Sequence, residues 1–204
     1  PSDWASGLYF ELTADIDASA TSAWNGGLGF SPIGNQGSPF LGFFNGNAHV
    51  ITGLTIKRPP QDAIGLFGYI SGSVQGLGLE LTEVSGLDRV GGLVGVNFGG
   101  TVSSCYATGI VSGDYYVGGV VGDNEGLVSS CYASAHVSGN GHVGGLVGLN
   151  FGGTVSSCYA TGSVLGNGNT EVGGLVGGNA FGTISSCYAT GGVTGGSSVG
   201  GLVG

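Results

Sequence analysis

The sequence predicts an all-β protein whose short strands stack as the coils of a parallel β-solenoid. Three observations favour this fold: a phrase that recurs every 23–29 residues, 48 glycines in 204 residues, and short aliphatic stretches between polar turns. Repeats of this length with strand-sized apolar stretches are typical of β-solenoids. Helical repeats are disfavoured because glycine in a helix costs about 1 kcal/mol relative to alanine. We expect about 6–7 coils.

The composition excludes several classes of protein. Lys and Arg total 3 and Asp and Glu total 12, so the net charge of −9 argues against a nucleic-acid-binding surface. Glycine has no period of three and proline occurs only 5 times, which excludes collagen. The 41% hydrophobic content is too high for a disordered polyanion. No apolar run approaches the roughly 20 residues of a membrane-spanning helix.

Two phrases define the repeat. VGGLVG begins at Val90, Val143, Val172 and Val199, with the variant VGGVVG at Val117, and SSCYA follows once in each complete unit. Differences in repeat length fall in polar stretches, which we interpret as loops because loops tolerate insertions. We predict one continuous solenoid in three parts. These parts are an N-terminal coil or partial cap at 1–40, divergent coils at 41–89 and regular repeats at 90–204.

The two ends of the chain also give expectations. The chain begins at Pro1 without a leader and stops inside the repeated phrase, so we expect a fragment of a longer protein or a processed chain. At the N-terminal end, Asp3, Trp4, Tyr9 and Phe10 could form a partial cover over the first coil.

Comparing one position across successive coils indicates which side chains face inward. One position holds Leu54, Leu77 and then four cysteines, and the position two residues later holds Ile56, Leu79 and then alanines. Side chains alternate faces along a strand, so both positions share an apolar inward face. We predict a buried structural core column of small thiols. It consists of Cys105, Cys131, Cys158 and Cys187.

Cysteines can also form disulfides or bind zinc. Neighbouring thiols could pair as strained disulfides, but thiolates spaced along a column cannot converge around zinc. A further aliphatic column, which includes Ile51, Val74 and Val102, has the opposite parity to the cysteines. The sequence therefore predicts a corner of the coil between these two columns.

The position between cysteine and alanine is predicted to face outward, and it carries the best candidate for binding. This outward stripe consists of Tyr106, Tyr132, Tyr159 and Tyr188, with Thr108, Ser134, Thr161 and Thr190 beside them. Flat aromatic rings can stack on sugar rings and suit interfaces. A ladder of tyrosines across strands also stabilises a sheet without any partner, and that interpretation stays open.

A recurrent asparagine follows the glycine phrase in each unit. Its members are Asn97, Asn124, Asn150 and Asn179. Stacked amides can hydrogen-bond from coil to coil as a ladder. Alternatively, asparagine at this position simply tolerates a left-handed turn.

The remaining polar residues do not assemble into a site in the sequence. His49, His136 and His142 are scattered, whereas metal ligands come in clusters. The pair Asp15 and Asp17 could share a strand face but lacks an aligned basic partner for acid–base chemistry.

An acidic pair and two arginines are the other charged residues that could belong to a site. Asp123 and Glu125 flank an asparagine in a predicted turn and could bind calcium only weakly. Arg58 and Arg89 are single residues near loops. We therefore predict no catalytic, cofactor-binding or metal-binding residues and no cofactor.

The repeated phrases resemble the GLUG-motif repeats of large bacterial surface and secreted proteins, including haemagglutinin-like adhesins. The matching phrases are VGGLVG at Val90, TVSSCYATG at Thr101, and LTADIDAS at Leu12, with FSPIGN at Phe30. This resemblance implies a right-handed β-solenoid (β-helix), an extracellular or cell-surface location, and a passive or adhesive role. It implies no catalytic residues.

The predicted function is a structural or adhesive extracellular module, a surface stalk or filament-forming subunit that binds glycans or other surfaces through the outward stripe. The expected partners are further repeats or other copies stacked end to end, since an uncapped edge strand invites another strand; nucleic acid and membrane insertion are not expected. A polysaccharide-cleaving β-helix enzyme is the first alternative, although no local break in the repeats that gathers carboxylates is visible. An ice-binding solenoid is the second alternative.

Overall fold

The structure, a computed structural model, describes residues 7–168 and 171–204 and is an all-β solenoid of about six turns. The strands of successive coils pair in parallel, as in Val94–Asn97 beside Val121–Asn124. The predicted parallel β-solenoid is therefore confirmed. Asp3 and Trp4 of the expected N-terminal cover lie outside the described residues.

Each regular coil contributes strands to four sheets, numbered here 1 to 4 in the order in which the coil visits them. Sheet 1 consists of Val90–Gly91, Tyr115–Gly118, Gly141–Gly144, Val172–Gly173 and Val199–Gly200. Sheet 2 consists of Phe67–Ile70, Val94–Asn97, Val121–Asn124, Val147–Phe151 and Val176–Ala180. Sheet 3 consists of Tyr9–Glu11, Phe43–Asn45, Ser73–Gln75, Thr101–Ser103, Leu127–Ser129, Thr154–Ser156 and Thr183–Ser185.

Sheet 4 has the most strands and contains the tyrosine and alanine of each SSCYA phrase, with the residues that follow them. It consists of Ile16–Asp17, Val50–Thr52, Thr55–Lys57, Gly78–Ser85, Tyr106–Ser112, Tyr132–Ala133, His136–Gly139, Tyr159–Ala160, Val164–Gly166, Tyr188–Ala189 and Val193–Thr194. A kinked 3-10 helix, Ser19–Gly27, packs beside Thr55–Lys57. In the described part of the chain, no helix is long and apolar enough to span a membrane.

The interior of the regular coils is thin because glycine faces alanine across it. A Cβ on Gly145 would lie 2.9 Å from the Cβ of Ala160 and would overlap the carbonyl oxygen of Gly174 in the next coil. The same glycine–alanine contact recurs at Gly119 with Ala133. In the phrases that another coil covers, the second glycine is thus required by close packing of backbone between coils.

The corner predicted before the cysteines lies at the second serine of the SSCYA phrase. Ser104 has a φ of 53°, and Ser130, Ser157 and Ser186 have nearly the same value. A left-handed residue turns the chain from sheet 3 into sheet 4, so that Val102 and Cys105 both point inward. Serine is an uncommon choice there, since non-glycine residues seldom adopt positive φ.

The alignment of the second coil that the sequence predicts is wrong. Ile51 pairs with Leu79 and not with Val74, and Ile56 pairs with Val84, so the tyrosine column continues through Val50 rather than Thr55. The aliphatic column instead continues from Val74 to Phe44. The turn at Asn47 and Ala48, both with positive φ, adds two residues between sheets 3 and 4 of this coil and is one part of the difference.

The first coils are filled by large side chains. Phe40 and Phe44 both contact Phe67, with ring centroids 5.2 and 5.4 Å apart, and Phe10 packs on Phe40 at 5.8 Å. Leu77 and Leu79 occupy the interior where the later coils carry cysteine and alanine. The residues Tyr9 and Phe10 thus do pack on the second coil, as the predicted cover requires.

Candidate binding surfaces

The four tyrosines of the outward stripe form one continuous stack on sheet 4. Centroids of neighbouring rings lie 4.7, 4.9 and 5.0 Å apart and their planes agree within 4°. The first three rings are half-buried, and Tyr188, in the last complete coil, is 54% exposed. The ring of Tyr106 lies over Gly78, where any side chain would collide with it. The stack thus presents a flat aromatic surface about three coil spacings long.

The Tyr106 end of this stack is fixed by a hydrogen bond to a carboxylate. The hydroxyl of Tyr106 donates a hydrogen bond to Glu80 Oε1 over 2.7 Å. Desolvation, together with the Glu80 carboxylate, raises the pKa of Tyr106 above its ordinary value, so the phenol stays neutral. Desolvation also raises the pKa of Tyr132. The stack is therefore an uncharged surface at neutral pH.

The hydroxyl residues beside the tyrosines are not equivalent. Thr108 is half-buried because its Oγ1 accepts a hydrogen bond from the backbone N–H of Leu81 over 3.1 Å. Ser134, Thr161 and Thr190 are exposed. The outward stripe therefore offers free hydroxyls only in its last three coils.

The asparagine column is a hydrogen-bonded ladder in the structure. Each amide nitrogen of Asn97, Asn124 and Asn150 donates to the amide oxygen of the asparagine in the next coil over 2.7 Å. The side-chain nitrogen of Asn150 also donates to the carbonyl of Gly153 over 3.1 Å. The ladder starts beside Ile70, so the buried Oδ1 of Asn97 has no partner among the described residues.

The four cysteines are free thiols in one column. The backbone N–H of Cys131 donates to Cys158 Sγ over 3.3 Å, and the Cys131 thiol donates to the carbonyl of Ser129 over 3.2 Å. The thiols therefore satisfy backbone groups at the corner, which a plain apolar residue could not do. The prediction that all four are buried is wrong for Cys187, which is half-exposed because no complete coil covers it.

The two central cysteines of the column are unreactive, whereas a hydrogen bond with Cys131 lowers the pKa of Cys105. Hydrogen bonding to the neighbouring thiol, together with burial, raises the pKa of Cys131 and Cys158 well above the usual range. Thiols that stay protonated are poor nucleophiles and poor metal ligands. In residues 7–168 and 171–204, no three His, Cys, Asp or Glu side chains gather to hold a metal ion.

The scattered histidines and the first aspartates make local contacts. Asp15 Oδ1 lies 3.0 Å from His49 Nδ1 and accepts the backbone N–H of Val50, and these contacts lower the pKa of Asp15. Asp17 accepts the N–H of Ser19 at the start of the 3-10 helix, and this lowers its pKa. Each of these carboxylates thus stabilises nearby backbone, and the two do not form a shared site.

A groove that the sequence analysis missed lies on the outer face of sheets 1 and 2. The chain takes seven steps from Ile33 to Phe40, whereas the paired strand takes three from Phe67 to Ile70. The additional residues form a loop at 34–39 that projects beside Tyr69. The repeats therefore do contain a local break, at the loop 34–39, which the sequence did not reveal.

Two adjoining cavities of about 410 and 470 Å³ make up this groove, and both contact Gln36, Tyr69 and Arg89. Further residues line one cavity each. They are Pro39, Ser71, Val96, Phe98, Asp123 and Glu125 in the smaller cavity, and Arg58, Gln61 and Asp62 with residues 31–32, 34–35, 37 and 63–64 in the larger. Both arginines of the chain thus line one groove, which their positions near separate loops did not reveal.

Asp123 is the most perturbed carboxyl of the groove. It lies within the strand Val121–Asn124, not in a turn, and its side chain is only 11% exposed. Desolvation, with a contribution from Glu125, raises its pKa to about 6, while Arg89 opposes the shift. Arg89 Nε lies 3.5 Å from Asp123 Oδ2, and Asp123 Oδ1 has no hydrogen-bond partner in the described chain.

A column of polar residues continues this face towards the C-terminal coils. The Arg89 guanidinium lies 5.8 Å from the centroid of the Tyr116 ring, which stacks on His142 at 5.2 Å. His142 Nδ1 in turn lies 3.2 Å from Glu171 Oε2. The signal available in the sequence was that these residues occupy one position, directly before the valine of each glycine phrase.

Stacked parallel coils with continuous side-chain columns define this chain as a β-solenoid repeat protein. The family model described as the GLUG motif matches residues 86–112, 139–165 and 168–194. The predicted resemblance to GLUG-motif repeat proteins is confirmed, and the chain carries this motif in three of its coils.

Two curated proteins share part of the sequence. Halomucin from Haloquadratum walsbyi is 41% identical over 124 residues, which are 58% of this chain and 1% of halomucin. A candidate Gly-rich membrane protein from Evansella cellulosilytica is 42% identical over 98 residues, 46% of this chain and 11% of that protein. The chain therefore spans only a small part of the length of these relatives.

One solved structure is similar over nearly the whole chain. It is a candidate immunoglobulin A1 protease from Bacteroides ovatus, with a TM-score of 0.78 and 26% identity. The match covers 94% of this chain and 62% of that protein. The solenoid of this chain is thus a fold already observed by crystallography in a longer protein.

Proposed function

We propose that the chain is a non-catalytic, rigid module of a cell-surface protein, which holds other parts of that protein away from the surface. The support is the single continuous solenoid with GLUG motifs, together with relatives named as a mucin and a membrane protein. A repeat protein in which each coil contacts only its neighbours extends in one direction and suits a stalk.

The finer part of the proposal is that the tyrosine stack makes the adhesive contact, with glycan polymers as the preferred surface. The observation that carries it is the geometry of the four uncharged rings, which lie parallel within 4° and 4.7–5.0 Å apart. Aromatic faces bind apolar ring faces at little cost in conformational entropy. A flat row of rings fits a flat polymer surface better than a single, mobile chain.

The test is depletion of the chain from solution by microcrystalline chitin or cellulose. Replacing both central rings, Tyr132→Ala with Tyr159→Ala, is expected to weaken adsorption about tenfold, since each stacked ring contributes about 0.5–1.5 kcal/mol. Tyr115→Ala is the matched control, because Tyr115 is 42% exposed but lies in sheet 1, away from the stack. Equal adsorption by all three proteins, or none by the wild type, would reject the adhesive face.

We also propose that the last coil stacks on another copy of the chain. Its strand Val199–Gly200 lies at the edge of sheet 1, and Phe181, which follows the last strand of sheet 2, is 91% exposed. Unpaired strand edges favour β-augmentation. Sedimentation velocity across a range of concentrations should show association that disappears when a charged, proline-containing segment is appended after Gly204; a monomer at every concentration would refute self-stacking.

A further inference from the structure

We propose that the groove on the outer face of sheets 1 and 2 is a second binding site, which takes a single chain of neutral hexopyranose sugars. This groove is defined by the loops 34–39 and 58–63 and by Tyr69, Arg89, Phe98 and Asp123. It lies on different sheets from the tyrosine stack, and it goes beyond the adhesive role proposed above.

The first support is that the groove exists only where the solenoid departs from its repeat. The loop 34–39 is closed by two backbone hydrogen bonds of 3.0 Å between Asn35 and Ser38, and by Asn35 Oδ1, which accepts the N–H groups of Gly37 and Ser38. The opposite wall is fixed by Arg58, which donates to the Phe30 carbonyl and to Ser31 Oγ over 3.1 and 2.8 Å. The groove is thus formed before any ligand arrives.

The second support is the unusual pairing of Arg89 and Asp123. Their nearest nitrogen and oxygen atoms are 3.5 Å apart, which is too long for a good charged hydrogen bond. The carboxylate is nearly buried and its Oδ1 has no partner in the described chain. A hydroxyl can accept from a guanidinium and donate to a carboxylate at the same time, so a sugar hydroxyl complements this pair.

The third support is the aromatic and amide lining around that pair. Tyr69 and Phe98 line the same cavity as Asp123, and Phe98 is 58% exposed. Gln36 contributes an amide that can both donate and accept. A pyranose ring has an apolar C–H face and a rim of hydroxyls, so it matches an aromatic surface edged by planar polar groups. Each cavity lies in the size range of about 300–1,000 Å³ that small-ligand sites occupy.

The charges of the groove argue for a neutral ligand. Arg58 and Arg89 are opposed by Asp62, Asp123 and Glu125 within the same two cavities. The whole chain carries a net charge of −9, which repels polyanions such as uronic-acid polymers. Within the groove the three carboxylates exceed the two arginines by only one charge, so a strongly charged ligand of either sign gains little net attraction there. Neutral hexoses are not repelled by the net negative charge of the chain.

The test is isothermal titration calorimetry at pH 7.5 with five probes, the hexasaccharides of maltose, cellulose, laminarin, mannan and chitin. At least one is expected to bind, and Asp123→Asn and Tyr69→Ala are each expected to weaken that binding tenfold or more. Gln36→Ala, in an exposed loop, tests the same groove if either of these two variants fails to fold. The controls Glu83→Gln and Tyr115→Ala lie outside the groove and should bind as the wild type does.

The outcomes separate this site from the tyrosine stack. Binding that is lost with the groove variants and kept by the Tyr132→Ala, Tyr159→Ala protein supports the groove, whatever the polymer adsorption experiment gives. Binding that the groove variants leave unchanged, or that is lost only when the stacked tyrosines are replaced, overturns the proposal. So does the absence of binding to all five hexasaccharides.

Discussion

The coils before residue 86 and the coils after it are built on the same solenoid plan but filled differently. The early coils bury Phe40, Phe67 and several Leu and Ile side chains, and their loops differ from one coil to the next. The later coils bury Val, Ala and Cys, and repeat the same contacts with glycine, asparagine and tyrosine in each coil. The regular coils are therefore stabilised by contacts that repeat from coil to coil, whereas the irregular coils contain loops of different lengths.

This difference indicates where recognition can arise in a repeat protein. A column of identical side chains can offer only one chemical group repeated at the coil spacing, as the tyrosine stack does. A concave site with several kinds of group requires that the repeat be broken. Here the break is the loop 34–39, and the groove beside it contains Tyr69 and Asp123, which interrupt an otherwise apolar column of Val96, Leu149 and Gly178.

The largest expected effect is the loss of close packing between regular coils. Gly145→Ala would place a methyl group against the carbonyl oxygen of Gly174 and the side chain of Ala160, so we expect the free energy of unfolding to fall by about 3–5 kcal/mol. Gly152→Ala is the control, since Gly152 has a φ of 68° with open space around it, and should cost about 1–2 kcal/mol. Equal losses in urea denaturation would show that coil spacing is not limiting.

A smaller effect is expected from interrupting the asparagine ladder. Asn124→Ala leaves the amide of Asn97 without its acceptor and Asn150 Oδ1 without its donor, and should cost about 2–4 kcal/mol because these groups are buried. Asn179→Ala, at the exposed end of the ladder, should cost about 1 kcal/mol. The ratio between the two variants in thermal or urea unfolding measures how cooperative the ladder is. Indistinguishable costs would indicate that the internal amides are not coupled.

The third prediction concerns the pH dependence of the free energy of unfolding, to which Asp123 of the groove contributes. The pKa of Asp123 is about 6 in the folded chain against about 3.9 when unfolded, so the native state binds more protons between these values. The free energy of unfolding should therefore fall by up to about 3 kcal/mol as the pH rises from 4 to 7, and stay low above pH 7.

Asp123→Asn is expected to remove most of this slope and to leave the protein more stable than the wild type at pH 7.5. Asp15 and Asp17 have lowered pKa values and contribute the opposite slope below pH 4, but they do so in both proteins. Urea unfolding of both proteins at pH 4.5, 6 and 7.5 isolates the Asp123 contribution. Parallel curves for the two proteins would show that its carboxyl is not desolvated.

The smallest effect is expected from one ring of the tyrosine stack. Tyr132→Ala removes two ring contacts, those with Tyr106 and Tyr159, and should cost about 1–2 kcal/mol because the rings are half-exposed. Tyr188→Ala removes one contact at the end of the stack and should cost about half as much. A cost above that of Asn124→Ala would make the stack a structural ladder first and a binding face second.

The sequence was sufficient for those features that repeat. The fold, the interior position of Val102 and Cys105 and the corner between them all follow from comparing four nearly identical units. The register of the second coil did not, because the loops of this coil differ in length from those of the regular repeats, and the turn at Asn47 and Ala48 alone adds two residues. Periodicity cannot reveal such an insertion when only one unit carries it.

The groove escaped prediction for a related reason. Arg58, Arg89 and Asp123 are far apart in the chain and recur in no column, so nothing in their spacing brings them together. The stacking of coils does so, since residues about one repeat apart become neighbours in space. A search for residues that interrupt an apolar column, as Tyr69 and Asp123 do, would have found one wall of this site.

We propose that single sugar chains bind in the groove between the loop 34–39 and the first regular coils, and not on the tyrosine stack. Hydrogen–deuterium exchange, with and without a saturating concentration of the hexasaccharide that binds best, tests this claim most directly. We predict slower exchange on binding in residues 34–39 and 58–63 and around Asp123, and no change in Tyr132–Ala133 or Tyr159–Ala160. Protection confined to those two tyrosine strands, with none at the loops, would contradict the account.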